Sequence, residues 1–303
     1  MTGNRIAVCW FLLAVIGFAA AAEQCADALA WSPGVLVPSD HASLQRSIGN
    51  LGNLRRLAPV LAKLSTANAT ARVLVVGGDV EKGGCWGCGG HLWQDVLGSW
   101  LRSSFPAKLE VSEFLLLGPL SSHLQSLPEV AAELRPDLVL AQVSLSPLLD
   151  QGWKGTENDR TPKHLVQERF MRALLLLPGS PAIVWVDALP SKLHSNYQAT
   201  DASLVQYYDV PQVSVLSAWR GRLPFEERDL WETPARPSLL GHKVIAATVT
   251  NFLCFELRLA CAGTSPGNGT GLPKPLYLVA AARGEEPRPR PGAAEGPSAE
   301  ALA

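Results

Sequence analysis

The sequence predicts an α/β domain with a mostly parallel, five-stranded sheet and helices on both of its faces. Three observations predict it. Short apolar runs recur at 73–76, 109–117, 138–143, 182–186 and 210–216, and the third is apolar throughout except for Gln142. Runs of this kind suit parallel strands that are covered on both faces. Helical spacing of apolar residues fills the stretches between them, so strand and helix alternate along the chain. Finally, 47% of the 303 residues are hydrophobic and 17% are charged, enough apolar material for a sizeable core.

The elements follow in order. Residues 23–38 read as an extended lead-in. Leu44, Ile48, Leu51, Leu54, Leu57, Leu61 and Leu64 recur at helical spacing, which predicts one helix over 40–64. The first strand, 73–76, runs into Gly77-Gly78-Asp79. A helix over 91–104 places Leu92, Val96, Trp100 and Leu101 on one side. The second strand, a short helix over 124–134 and the third strand follow. Residues 151–161 form a polar loop, and Asn158-Asp159 belongs to its turn chemistry. A helix over 162–177 begins at Pro162, a residue at home in a first turn. The fourth strand, a helix over 201–208 and the fifth strand lead to a closing helix over 238–260. Ser238 is its expected N-cap, with Pro237 before it and Gly263 after it. From 263 the chain turns to Gly, Pro, Ala, Glu and Arg and ends PRPRPGAAEGPSAEALA, a tail expected to be disordered.

The N-terminus reads as a signal peptide. Arg5 supplies the positive region, 6–18 the apolar region, and Ala20-Ala21-Ala22 before Glu23 the small-residue cleavage site. The apolar run is short of the ~20 residues that span a bilayer. A secreted or lumenal chain with no membrane span after cleavage is therefore expected. The organisation predicted is a signal peptide over 1–22, an extension and helix over 23–69, the α/β domain over 70–262 and the tail over 263–303. Asn68-Ala69-Thr70 and Asn268-Gly269-Thr270 match the N-glycosylation acceptor pattern. The formal net charge of -1 argues against a general nucleic-acid binder.

Beyond Cys9 in the leader, the cysteines are Cys25, Cys85, Cys88, Cys254 and Cys261. Cys85-Trp86-Gly87-Cys88 has the spacing of a redox pair or half a zinc site. No second CxxC or HxxxH completes a zinc set, and glycines follow where a redox pair wants helix. A local loop disulfide between Cys85 and Cys88 is expected in an oxidising compartment. Cys254 and Cys261 stand ~10 Å apart along one helix, too far to bridge each other.

The turn at 77–83 decides the chemistry. Gly77-Gly78-Asp79-Val80-Glu81-Lys82 lacks the GxGxxG of a dinucleotide site and the GK[ST] of a P-loop. No cofactor is expected. A third possibility is the nucleophile turn of a hydrolase, because sites in open α/β sheets lie beyond the carboxyl ends of the strands.

Four segments then resemble the SGNH (GDSL-like) hydrolases, especially their secreted eukaryotic branch. Gly77-Gly78-Asp79-Val80-Glu81-Lys82-Gly83 resembles the strand-end block G-(G/D)-S-x-T-x-G. Pro136-Asp137-Leu138-Val139-Leu140 resembles the strand leading into the GxND block, and residues 207–214 a segment before the last block. Arg236-Pro237-Ser238-Leu239-Leu240-Gly241-His242-Lys243-Val244-Ile245-Ala246 follows D-x-x-H-P-(N/S)-x-x-G-H-x-x-(I/L)-A. The resemblance covers about residues 70–260 and implies a three-layer α/β/α fold with a flavodoxin-like sheet.

It also implies a mechanism, which this chain departs from. The family's serine attacks an acyl carbonyl, a histidine takes its proton, and an aspartate three residues earlier orients the histidine. The serine amide, a glycine and an asparagine form the oxyanion hole. Here Asp79 holds the nucleophile position, Gly118 the glycine position and Ser146 the asparagine position. Thr233 and Arg236 replace the aspartate and the histidine. Arg236 cannot act as a base, because a guanidinium stays protonated. Asp79 and Arg236 are expected to form an ion pair where the Ser-His couple would sit. His242, the later histidine of the motif, is expected to be structural.

The reading is a catalytically inactive, secreted protein that binds glycans or acyl groups. The alternative is an active esterase or O-acyltransferase on acylated glycans with a relocated catalytic set. Its candidate bases are His91, His123, His164 and His194, and its candidate nucleophiles Ser121 and Ser144.

Overall fold

The computed structural model describes residues 41–77, 91–116, 126–143, 163–188, 198–219, 226–233 and 236–261. Helices α1 (His41–Arg46), α2 (Leu54–Leu64), α3 (Trp93–Ser104), α4 (Ser126–Leu134), α5 (Lys163–Leu175) and α6 (Gln198–Tyr207) come before a short α7 (Val215–Trp219), α8 (Glu227–Leu230) and the long α9 (Leu239–Cys261). Strands β1 (Ile48–Asn50), β2 (Thr70–Gly77), β3 (Lys108–Leu115), β4 (Leu138–Gln142), β5 (Ala182–Asp187) and β6 (Gln212–Ser214) form one sheet, in the order β1-β6-β5-β4-β2-β3. A hairpin, β7 (Trp231–Thr233) and β8 (Arg236–Pro237), stands apart from it.

The five strands expected from the sequence are β2 to β6. They are parallel, and their order is the flavodoxin-like one. Period-2 alternation splits their side chains between two cores. Val73, Val75, Leu138, Leu140, Val184 and Val186 face a core shared with α2, α3 and α9. Leu74, Val76, Val139, Ala141, Ile183 and Trp185 face a core shared with α4, α5 and α6. These are the three layers. Every residue of β4 and β5 is buried, as their unbroken apolar character requires.

The structure corrects the helix expected over 40–64. The segment is α1, the strand β1 and α2, and β1 pairs antiparallel with β6 as a sixth strand. The leucine spacing misleads because Leu44 and the Leu57, Leu61 and Leu64 series face the same core from two different helices. Between them lie Ser47, Gly49, Asn50, Gly52 and Asn53, all poor helix formers. Gly52 takes φ 62° against the backbone of Pro211, where a Cβ would lie 2.3 Å from the Pro211 nitrogen. Asn50 Nδ2 donates to Val205 O at 3.2 Å and Val210 O at 2.8 Å, and Asn53 Oδ1 then caps α2. Residues 41–69 therefore belong to the packed domain, and the boundary expected at residue 70 falls inside it.

The fifth expected strand, 210–216, is also shorter than its apolar run. Only Gln212–Ser214 is strand, because Ser214 Oγ accepts the Ser217 N–H at 3.2 Å and starts α7. The closing helix runs as expected, with Gly241 N–H donating to Ser238 Oγ at 3.1 Å. Cys254 on this helix is a free, buried thiol. Among the described residues no helix is long and apolar enough to cross a membrane. The signal peptide, Cys85, Cys88, Asn268 and the tail lie outside the described residues. Asn68 is exposed in the turn before β2 at φ 64°.

Near the end of α9, Glu256 is fully buried, and among the described residues neither carboxylate oxygen has a hydrogen-bond partner. Desolvation raises its pKa from 4.5 to about 7. The folded state therefore holds a proton that the unfolded state releases between those two values. This contribution to stability is present below pH 4.5 and is lost as pH rises through 7. Glu256→Gln removes the dependence. Relative to the parent, the variant is expected to gain about 3 kcal/mol between pH 5 and pH 8 in urea unfolding. A difference that stays flat across that range would contradict the assignment.

Candidate functional site

Parallel strands deliver their chain exits to one edge of the sheet, and here three exits leave side by side. Gly77 ends β2 and lies in register with Leu115 of β3 on one side and Gln142 of β4 on the other. The Leu116 N–H donates to Gly77 O at 2.6 Å and holds the exits of β2 and β3 together. Asp79, Gly118 and Ser146 follow these exits by two, three and four residues in the sequence. All three lie outside the described residues, as do His123, His194, Ser121, Ser144 and the Asn158-Asp159 pair.

Two of the predicted positions are brought together. Thr233 and Arg236 are facing partners across the β7–β8 hairpin. Arg236 is exposed, and among the described residues it forms no ion pair. The Asp79 partner expected for it lies outside them. His91 is exposed just before α3, and His164 falls in the first turn of α5.

The segment that resembles the family most closely is accounted for by packing. Pro237 is buried. Ser238 closes a cap in which its N–H donates to Leu230 O at 2.9 Å and its hydroxyl to Asp229 O at 2.5 Å. Gly241 has no room for a side chain, since a Cβ would meet Leu230 O at 2.1 Å. His242 is fully buried, and its Nδ1 accepts the Trp93 N–H at 3.2 Å. Trp93 opens α3, whose other end leads into the start of β3, so α3 begins over the carboxyl edge of the sheet. The His242 contact brings the first turn of α9 and the hairpin before it to that same edge.

Burial lowers the pKa of His242 from 6.5 to about 4, so the ring is neutral at pH 7. Because Nδ1 accepts a hydrogen bond, the ring proton sits on Nε2, which is buried and has no partner among the described residues. The expectation of a structural histidine holds for one nitrogen and leaves the other unsatisfied. A buried imidazole with its only free nitrogen protonated cannot serve as a general base.

The sequence reading missed a row of buried polar residues at the same edge. Gln142, Asp187 and Ser214 close β4, β5 and β6, and Asp187 lies in register with Ser214. Gln94, the second residue of α3, is buried too, and its Nε2 donates to Glu113 Oε1 at 3.1 Å. The signal was present: VLAQ and IVWVD each end an apolar run on a polar residue. Among the described residues no cluster of His, Cys, Asp and Glu could hold a metal ion.

No family model matches the chain, and no curated protein does. Solved structures match it. A two-domain esterase (CEX) active on acetylated mannans superposes with a TM-score of 0.59 at 19% identity, over 77% of this chain. The same esterase co-crystallized with mannopentaose gives 0.58, again at 19% identity over 77% of this chain. The chain has the SGNH-hydrolase fold. It spans 60% of the length of that esterase.

Two outcomes test this account of the edge. Gly241→Ala forces a methyl group against a backbone carbonyl and is expected to cost about 2 kcal/mol or more in thermal unfolding. By NMR, the His242 ring is expected to stay neutral, with its proton on Nε2, from pH 8 to pH 5. A midpoint near 6.5 would mean that the ring is solvated.

Proposed function

We propose that this chain is a secreted, catalytically inactive SGNH-type protein that binds acylated glycans at the carboxyl edge of its sheet. One observation carries the reading. The residues retained from the family's last block, Ser238, Gly241 and His242, are engaged in packing, while the positions for chemistry hold Asp79, Ser146, Thr233 and Arg236. One substitution could tune a serine hydrolase. Four remove the nucleophile, the oxyanion donor, the orienting acid and the base together.

The glycan part draws on the esterase that shares the fold, which is active on acetylated mannans and was crystallized with mannopentaose. The secreted part draws on Arg5, the apolar run over 6–18 and the alanines before Glu23. A secreted product whose first residue is Glu23 is the outcome expected from N-terminal sequencing.

The main test compares acetate release with binding. The purified chain is expected to release no acetate from acetylated mannan or p-nitrophenyl acetate above a heat-denatured blank. It is expected to retain acetylated mannan on an affinity column. A saturable rate that survives Asp79→Ala, and is lost on replacing one of His91, His123, His164, His194, Ser121 or Ser144, would establish the relocated catalytic set instead.

A further inference from the structure

A second cleft, of about 730 Å³, opens at the opposite, amino edge of the sheet. It is lined by α2, the α5–β5 turn, the α6–β6 turn, Asp137 just before β4 and the start of β5. That volume falls in the range of small-ligand sites.

Arg56 lines this cleft. Its Nη1 donates to Leu175 O at 3.1 Å and Pro181 O at 3.5 Å, which braces one end of the guanidinium. Among the described residues the Nε and Nη2 edge has no acceptor, and this is the edge that grips a carboxylate or sulfate with two parallel hydrogen bonds. Arg56 is half-buried and forms no salt bridge among the described residues. Desolvation alone lowers its pKa.

The cleft's own acids do not fill the gap. Asp137 holds Lys63 Nζ with both oxygens at 2.8 Å and also accepts the Arg72 N–H. Asp209 is exposed at the rim. Beside the polar Asn53, Arg55 and Ser180, the lining carries Pro59, Pro181, Pro211 and the half-buried Tyr207, whose ring meets Tyr208 edge-on at 5.1 Å. Flat aromatic and proline surfaces beside a fixed polar fork suit a sugar ring that carries an anionic group.

We propose that this amino-edge cleft is a second ligand site, which takes an acidic saccharide through a sulfate or carboxylate held on the free edge of Arg56. The anion part stands on the geometry of Arg56. The saccharide part rests on the glycan reading of the chain.

Calorimetric titration of the full secreted chain tests it, with inorganic sulfate, a sulfated heparin disaccharide, its desulfated uronate form and maltose as probes. Both acidic disaccharides are expected to bind at least tenfold more tightly than maltose, with sulfate competing. Arg56→Lys keeps the charge, loses the fork and is expected to weaken them at least tenfold. Pro59 is exposed one helical turn from Arg56, so Pro59→Glu supplies an internal counter-ion without removing the brace. It is expected to abolish binding in a chain that is still folded by circular dichroism. Binding of neither disaccharide, binding of sulfate alone, or binding that Pro59→Glu leaves unchanged would each overturn the proposal. The acetylated-mannan column judges the carboxyl-edge reading separately.

Discussion

At the first turn of α9 the helix passes so close to Leu230 O that only a glycine fits at position 241. The rest of the carboxyl edge depends on that approach. It seats Ser238 as the cap, places His242 against the Trp93 N–H and so sets α9 beside α3. The β7–β8 hairpin with Arg236 hangs from the same point. A motif that elsewhere accompanies catalysis is here sufficiently explained by steric and hydrogen-bonding needs. Retention of P-S-x-x-G-H is thus evidence for the fold and is silent on activity.

The two ends of the sheet solve different problems. At the carboxyl end, Gln142, Asp187 and Ser214 bring polar atoms into a buried layer, where each needs a partner to offset lost hydration. At the amino end, Lys63 pairs with Asp137, and Arg72 and Lys108 with Glu110, while Arg56 has no ion pair among the described residues. Glu110 is held below its usual carboxylate range, first by hydrogen bonds from those two side chains. These pairs are partly exposed, so they add little to stability; Arg72 and Glu110 are register partners and tie β2 to β3.

Much of the fold was legible because periodicity reports burial directly. The five parallel strands and the capped closing helix stand close to where their apolar patterns put them. The failures have a common physical cause: periodicity does not say which chain segment supplies each apolar residue. Leu44 and Leu57 look like neighbours on one helix, yet Gly49, Asn50 and Gly52 turn the chain into a strand between them. Of the candidate site, Thr233 and Arg236, chosen by resemblance to the D-x-x-H block, are register partners across the hairpin. The environment of His242 was not, since it depends on Trp93, far away in the chain. Nor were the partners of the buried Gln142 and Asp187, because a polar residue at a strand end reads equally as an exposed turn.

The helix α9 carries His242 and Glu256 fourteen positions apart, about 21 Å at 1.5 Å per residue, too far for direct coupling. Folding pushes the first to about 4 and the second to about 7. Between pH 4.5 and 6.5 the unfolded chain keeps its proton on the histidine and the folded chain keeps it on the glutamic acid. Folding there exchanges one protonated group for another, with no net uptake or release from this pair. The two linkage slopes have opposite sign and cancel, so this pair adds no net pH dependence to stability across a mildly acidic interval. Below about pH 4 or above about pH 7, a charge must be housed in the core at one end of α9 or the other.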